Sequence, residues 1–158
     1  MKQYFRPNST SGQSLLEIVV SVGLVTMVLV ALVSAISFSL ANAQFARNKA
    51  LATKYDQEAV EWLREQRDAS WFDLNSMAPD AGSGQIYCVP TLPVTVTTMT
   101  NGTCTTAVID DNYDIFHREV TLRGVAADDS VSVTLKVWWY QGAKQVNVTV
   151  NTTLTRWQ

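Results

Sequence analysis

From residue 18 to residue 46 the chain carries no Asp, Glu, Lys or Arg, and this gap constrains the fold more than any other feature. Its apolar part, residues 18–41 (IVVSVGLVTMVLVALVSAISFSLA), would be about 36 Å long as a helix at 1.5 Å per residue. That is enough to cross the ~30 Å hydrocarbon layer of a bilayer with some tilt. The 158-residue chain has room for one domain besides this run. Charged residues make up 16% of the chain while its hydrophobic fraction is an ordinary 47%, against about 25% charge in soluble proteins. The depletion is local, and the residues beyond the run read as a normal polar domain.

Lys2 and Arg6 precede the run, so the positive-inside rule puts the N-terminus in the cytoplasm and everything after about residue 45 on the outer side. Residues 1–12 (MKQYFRPNSTSG) are short, basic and polar. They lack the apolar stretch that a secretory signal peptide needs before its cleavage site. A net charge of −2 is far from that of a bulk nucleic-acid binder, so nucleic acid is an unsupported partner. Cys88 and Cys104 both fall on the exported side, where a disulfide is the expected state. The spacing is not CxxC and no nearby His completes a zinc set. The bridge would close a loop of about 15 residues, which contributes about 3 kcal/mol in the chain-entropy account.

Glu17 stands at the mouth of the apolar run beside Leu15 and Leu16. An acidic residue at the centre of a membrane helix costs roughly 2.5 to 3.5 kcal/mol, less near the interface, and such residues have partners. Cleavage after Gly12 would supply one. Gln13 would gain a free α-amine, one helical turn from Glu17 on the same chain or facing Glu17 of a neighbour.

At Gly12, Gln13, Leu15, Leu16, Glu17, Ile18 and Val19 the chain resembles the type IV prepilins and type II secretion pseudopilins. Their pattern is a short basic leader ending in Gly, then an apolar helix with Glu five residues beyond that Gly. The resemblance implies cleavage by a prepilin peptidase after Gly12, N-methylation of Gln13, and use of Glu17 to register an incoming subunit in a growing filament. Two positions depart from the pattern. Gln13 stands where many major pilins have Phe, and no Pro interrupts the chain between Gly12 and Pro79, whereas many major pilins carry one midway along the apolar helix. Both departures point to a minor pilin or pseudopilin. Gly23, Ser34, Ser37 and Ser39 are then the only weak points in the helix.

Helix-forming composition without Pro or Gly continues past the run, so one helix is expected from about residue 14 to about residue 71. Leu51, Tyr55, Ala59, Trp62 and Leu63 recur at helical spacing, with Lys54, Glu58, Glu61, Arg64 and Glu65 on the other sides. The apolar stripe should pack under a sheet. Residues 75–85 (NSMAPDAGSGQ) read as a loop. Leu92, Val94 and Val96 then alternate as in a strand, and Asn101-Gly102 signals a tight turn.

The strongest sheet signal comes last. Phe116, Val120 and Leu122 share one face of a first segment. Val131, Val133, Leu135, Val137 and Trp139 share one face of a second, and Val146, Val148, Val150 and Leu154 one face of a third. Joined through residues 124–130 and 141–144, they predict an antiparallel meander with one wet face. The expected class is α+β: a long N-terminal helix, transmembrane and then amphipathic, under a small antiparallel sheet, which is also the pilin architecture. The expected divisions are a leader at 1–12, a membrane and filament-core helix at 13–45, an amphipathic continuation at 46–74, and a sheet head at 75–158. The Arg118-Glu119-Val120-Thr121 segment, the strand ending near Trp138 and Trp139, and the last strand closing on Arg156-Trp157 also resemble the PilV-type minor pilins.

Catalytic and metal motifs are thin. His117 is the only histidine and falls on the polar parity of its strand, where it reads as solvated. Asp110, Asn112 and Asp114 have the first, third and fifth spacing of a calcium loop. Ile115 and Thr121, however, stand where an EF-hand needs Gly and Glu, which excludes that motif and leaves a weak calcium candidate. Trp138, Trp139, Tyr140 and Trp157 gather near the last hairpin, but Trp138 and Trp139 point to opposite faces and form no single platform. Asn8, Asn101, Asn147 and Asn151 begin N-x-[ST] triplets, which matter only in a host that glycosylates them. No nucleophile, base and orienting group come together, so no enzyme and no cofactor is expected.

The sequence therefore predicts a minor pilin or pseudopilin, inserted in the cytoplasmic membrane with its head outside and then assembled into a pilus or pseudopilus. Its partners would be other pilin subunits, the assembly machinery, prepilin peptidase and the membrane. The alternatives are a binding module displayed on such a filament, for adhesion, DNA uptake or recognition of a secreted substrate, and a type II secretion pseudopilin.

Overall fold

The computed structural model describes residues 11–80, 82–106, 108–109, 115–125 and 129–156, with side chains from residue 15 onward. The chain divides into two compact units, Met1–Gln44 and Phe45–Gln158. A single helix, α1, Ser11–Ala69, contributes to both.

In the first unit every side chain from residue 15 to residue 44 is exposed. The helix is long and apolar enough to cross a membrane. It runs unbroken through the expected weak points. Thr26 Oγ1 donates to the Gly23 carbonyl at 2.9 Å, Ser34 Oγ to Val30 at 2.8 Å and Ser37 Oγ to Val33 at 2.9 Å. Such hydroxyls need no partner outside the helix, which suits a segment surrounded by lipid.

In the second unit the expected stripe is buried: Tyr55, Ala59, Trp62 and Leu63, joined by Ala52, Asp56 and Val60, with Leu51 half-buried. The helix stops at Ala69, two residues short of expectation. Ser70 adopts an extended conformation and its side chain accepts from Asp73 N, capping a second helix, α2, Trp71–Ser76. The cap re-aims the chain and lets Leu74 enter the core.

The remaining elements are five strands: β1 Gln85–Cys88, β2 Thr100–Asn101, β3 His117–Val125, β4 Ser130–Gln141 and β5 Lys144–Thr155. They form one antiparallel sheet in the order β2-β1-β3-β4-β5. The chain is thus α+β, a long helix packed with an open antiparallel sheet. The predicted meander is β3, β4 and β5, with Val120, Leu122, Val131, Val133, Leu135, Val137 and Trp139 all at 0% exposure. The β4–β5 turn has Gly142 at φ +61 as its first central residue, the conformation that a II′ turn reserves for glycine.

The strand expected at Leu92, Val94 and Val96 does not form. Residues 89–95 are irregular and Val96–Thr98 is a single 3₁₀ turn. Pro90 and Pro93 have no N–H for a ladder, and helix side chains satisfy the backbone instead. Trp62 Nε1 donates to the Pro93 carbonyl at 2.9 Å, Gln66 Nε2 to Val94 at 3.2 Å, and Gln66 Oε1 accepts from Val96 N at 3.0 Å. Nor do Asn101 and Gly102 make a hairpin turn. Asn101 pairs with Tyr87 in β2, and Gly102 N donates to the Ile86 carbonyl at 2.8 Å.

Two clusters fill the space between helix and sheet. One gathers Ala59, Leu63, Leu74, Val96, Val120, Leu122 and Leu135; the other gathers Ala52, Tyr55, Phe116, Val137 and Trp139. In the second, Phe116 meets Tyr55 edge-on at 5.4 Å and Trp139 at 5.6 Å between ring centroids, the geometry that aromatic quadrupoles favour.

Candidate functional site

Gly12 and Gln13 lie in the first turn of α1, and their side chains fall outside the described residues. Glu17 is on the same helix and exposed, flanked by exposed Leu15, Leu16, Ile18 and Val19. This carboxylate therefore stands at the start of a continuous apolar surface. The calcium candidates Asp110, Asn112 and Asp114 lie outside the described residues, as does Trp157. Among the described residues no group of three or more His, Cys, Asp or Glu is placed to hold a metal.

Cys88 and Cys104 form a disulfide with Cα atoms 4.9 Å apart. Cys88 ends β1 opposite Glu119 of β3, on the sheet face turned away from α1. Glu119 Oε1 accepts from Cys104 N at 3.0 Å, and its Oε2 lies 3.6 Å from Lys136 Nζ. Trp138 packs against the two half-cystines, and His117 stacks on Trp138 with ring centroids 3.8 Å apart and planes 13° from parallel.

His117 is consequently buried, at 8% exposure, and the expectation of a solvated residue is corrected. The parity was right, but the indole and the disulfide cover that end of the outer face. Along β5 the same face is wet: Asn147, Thr149, Asn151 and Thr153 are exposed. Trp138 and Trp139 do point to opposite faces, and Tyr140 stays 59% exposed, edge-on to Trp138 at 5.7 Å.

The helix-facing side holds a polar group that periodicity alone did not reveal. Arg118 is 2% exposed. Its Nε donates to the Val89 carbonyl at 2.9 Å, Nη1 to Tyr55 at 3.3 Å and Nη2 to Pro90 at 3.3 Å, and Nη1 lies 3.9 Å from Glu58 Oε2. Burial pulls its pKa down, and the Glu58 and Asp56 carboxyls and Tyr55 push it back up. A guanidinium stays protonated throughout this balance. Asp56, one residue beyond Tyr55, is at 0% exposure and neither carboxyl oxygen has a hydrogen-bond partner. Burial pushes its pKa up to about 7, with Arg118 pulling in the other direction.

Signals for both residues were present in the sequence. Arg118 shares parity with Phe116, Val120 and Leu122, and Asp56 lies four residues after Ala52 and three before Ala59. An open cleft of about 460 Å³ borders this group, lined by Lys54, Glu58, Pro90, Leu92 and Arg118 among others. The guanidinium is engaged by backbone carbonyls, so the arrangement clamps β3, α1 and the start of the disulfide-closed loop together.

No protein-family model, curated protein or solved structure matches the chain.

Proposed function

We propose that the chain is a minor subunit of a type IV pilin-like filament, either a pilus or a secretion pseudopilus. On this reading prepilin peptidase removes residues 1–12, Gln13 becomes the methylated N-terminus, and α1 is held in the membrane until it enters the filament core. The observation that carries the reading is the single carboxylate of Glu17 at the head of a helix surface that is apolar and exposed from residue 18 to residue 41. Lipid satisfies the apolar surface but not the carboxylate. A neighbouring helix with a positive N-terminus satisfies both. The second unit then serves as a small disulfide-closed head at the filament surface, with a structural role and no catalysis.

Glu17→Ala tests the reading. The variant should insert in the membrane as the wild type does and fail to enter filaments, whereas an ordinary single-span anchor would be indifferent to it. Normal incorporation of the variant would sink the proposal.

A second reading, display of a binding surface on such a filament, is favoured by Val94 and Tyr140, exposed at 91% and 59% on the head. Val89, Val96 and Met99 are buried in the core, so the test leaves residues 89–103 in place and changes only exposed side chains. Val94→Ser with Tyr140→Ser leaves the core intact. Filaments that form normally but lose adhesion or substrate capture would favour this reading over a purely structural one.

A further inference from the structure

The sheet ends on β5, whose outer edge no other strand covers among the described residues. β5 pairs with β4 without a skipped residue from Gln141↔Lys144 to Ser130↔Thr155, so no bulge bends it away. Every second residue of such an edge strand directs its N–H and C=O away from the sheet. Natural proteins blunt long edges with charges, prolines, bulges or covering elements. Between Lys144 and Arg156, β5 has no charge, proline or glycine. The opposite edge, β2, is only Thr100–Asn101.

The helix-facing side repeats the pattern. Trp139, Val137 and Leu135 of β4 are fully buried, while their β5 partners Val146, Val148 and Val150 are only half-buried. Both the backbone edge and the valine row are therefore left incomplete.

We propose that the open edge of β5 is a docking strand that takes an extended, uncharged segment of a different protein, flanked by acidic residues, as a sixth strand of the sheet. Only another β-strand offers the alternating backbone donors and acceptors that the edge lacks. Alternate apolar side chains of that strand would extend the valine row.

Charge selects between partners. Lys144 and Arg156 are both exposed, one at each end. Two β5 strands paired antiparallel over their full length bring Lys144 beside Arg156 at both ends, and paired in parallel they bring each cation beside its own copy. Like charges placed across a strand pair destabilise it. A segment with Asp or Glu at its ends meets the same two cations favourably. The inference is independent of the filament reading, since it uses only the head.

The test is amide hydrogen exchange on the full chain in detergent micelles. Two probes are used: an eleven-residue peptide of alternating threonine and valine with an aspartate at each end, and its counterpart with lysine at each end. The acidic peptide should slow exchange at alternate β5 amides by about tenfold or more, with β2 unaffected. The basic peptide should need about tenfold higher concentration for the same protection. Absence of protection with both peptides, equal protection by both, or protection spread evenly over the outer face would each overturn the proposal. So would protection of β5 that grows with the chain's own concentration in the absence of peptide, because the occupant would then be a second copy.

Discussion

Nη1 of Arg118 on β3 donates to the carbonyl oxygen of Tyr55 on α1 across 3.3 Å. The same guanidinium holds Val89 and Pro90, the first residues of the loop that the disulfide closes. One side chain thus joins the helix, the sheet and the loop, with its charge almost wholly removed from water.

Arg118→Met should therefore destabilise the head by about 3 to 5 kcal/mol, the cost of leaving the Val89, Tyr55 and Pro90 carbonyls without their donor. Arg118→Lys should recover little of this, because one ammonium cannot reach three carbonyls in the geometry of the guanidinium fork. Urea unfolding of the detergent-solubilised chain, followed by tryptophan fluorescence, measures both.

Asp56 should make head stability depend on pH in an unusual direction for a carboxylate. Its folded pKa of about 7 lies above the ordinary value of 3.8, so between these values the folded state binds more protons than the unfolded one. Its contribution is fully present below about pH 4 and is lost as pH rises to about 7, by up to about 4 kcal/mol for a shift of this size. The stability difference between wild type and Asp56→Asn, followed from pH 4 to pH 8, isolates this contribution. A difference that stays flat across the range would contradict the assignment.

Neighbouring aromatics at the end of β4 should respond in opposite ways. Trp139 is at 0% exposure against Phe116, so Trp139→Ala should cost about 3 to 5 kcal/mol. Tyr140→Ala removes a ring that is 59% exposed and should stay within about 0.5 kcal/mol of wild type. Thermal unfolding of the two variants side by side gives the comparison.

Opening the Cys88–Cys104 bridge by Cys88→Ala with Cys104→Ala should lower stability by about 2 to 4 kcal/mol. It also uncovers the face of Trp138 that packs on the bridge, so the indole should become accessible to acrylamide in the folded protein. Unchanged quenching would mean that the loop stays in place without its bridge.

Periodic segments were legible in the sequence and exceptions to them were not. The period of two in β3, β4 and β5 set their partners and buried face, and the helical stripe from Tyr55 to Leu63 set the side of α1 that packs. The segment containing Val94 and Val96 has strand composition, yet Trp62 and Gln66 out-compete a neighbouring strand for its backbone, a tertiary effect that no local window contains. Ser70 carried a readable capping signal three residues before Asp73, masked because no Pro or Gly breaks the sequence on either side. Arg118 and Asp56 sat on core parities, but a charged residue at such a position becomes intelligible only when its carbonyl partners are known. His117 was placed on the correct face and given the wrong environment, because burial there comes from Trp138 and a disulfide distant in sequence.

Processing at the first residues of α1 would be read from the intact mass of the chain purified from the membranes of its own cells. The mature chain should begin at Gln13 and carry one added methyl group. A chain that keeps Met1, or one cut anywhere other than after Gly12, would contradict the filament reading.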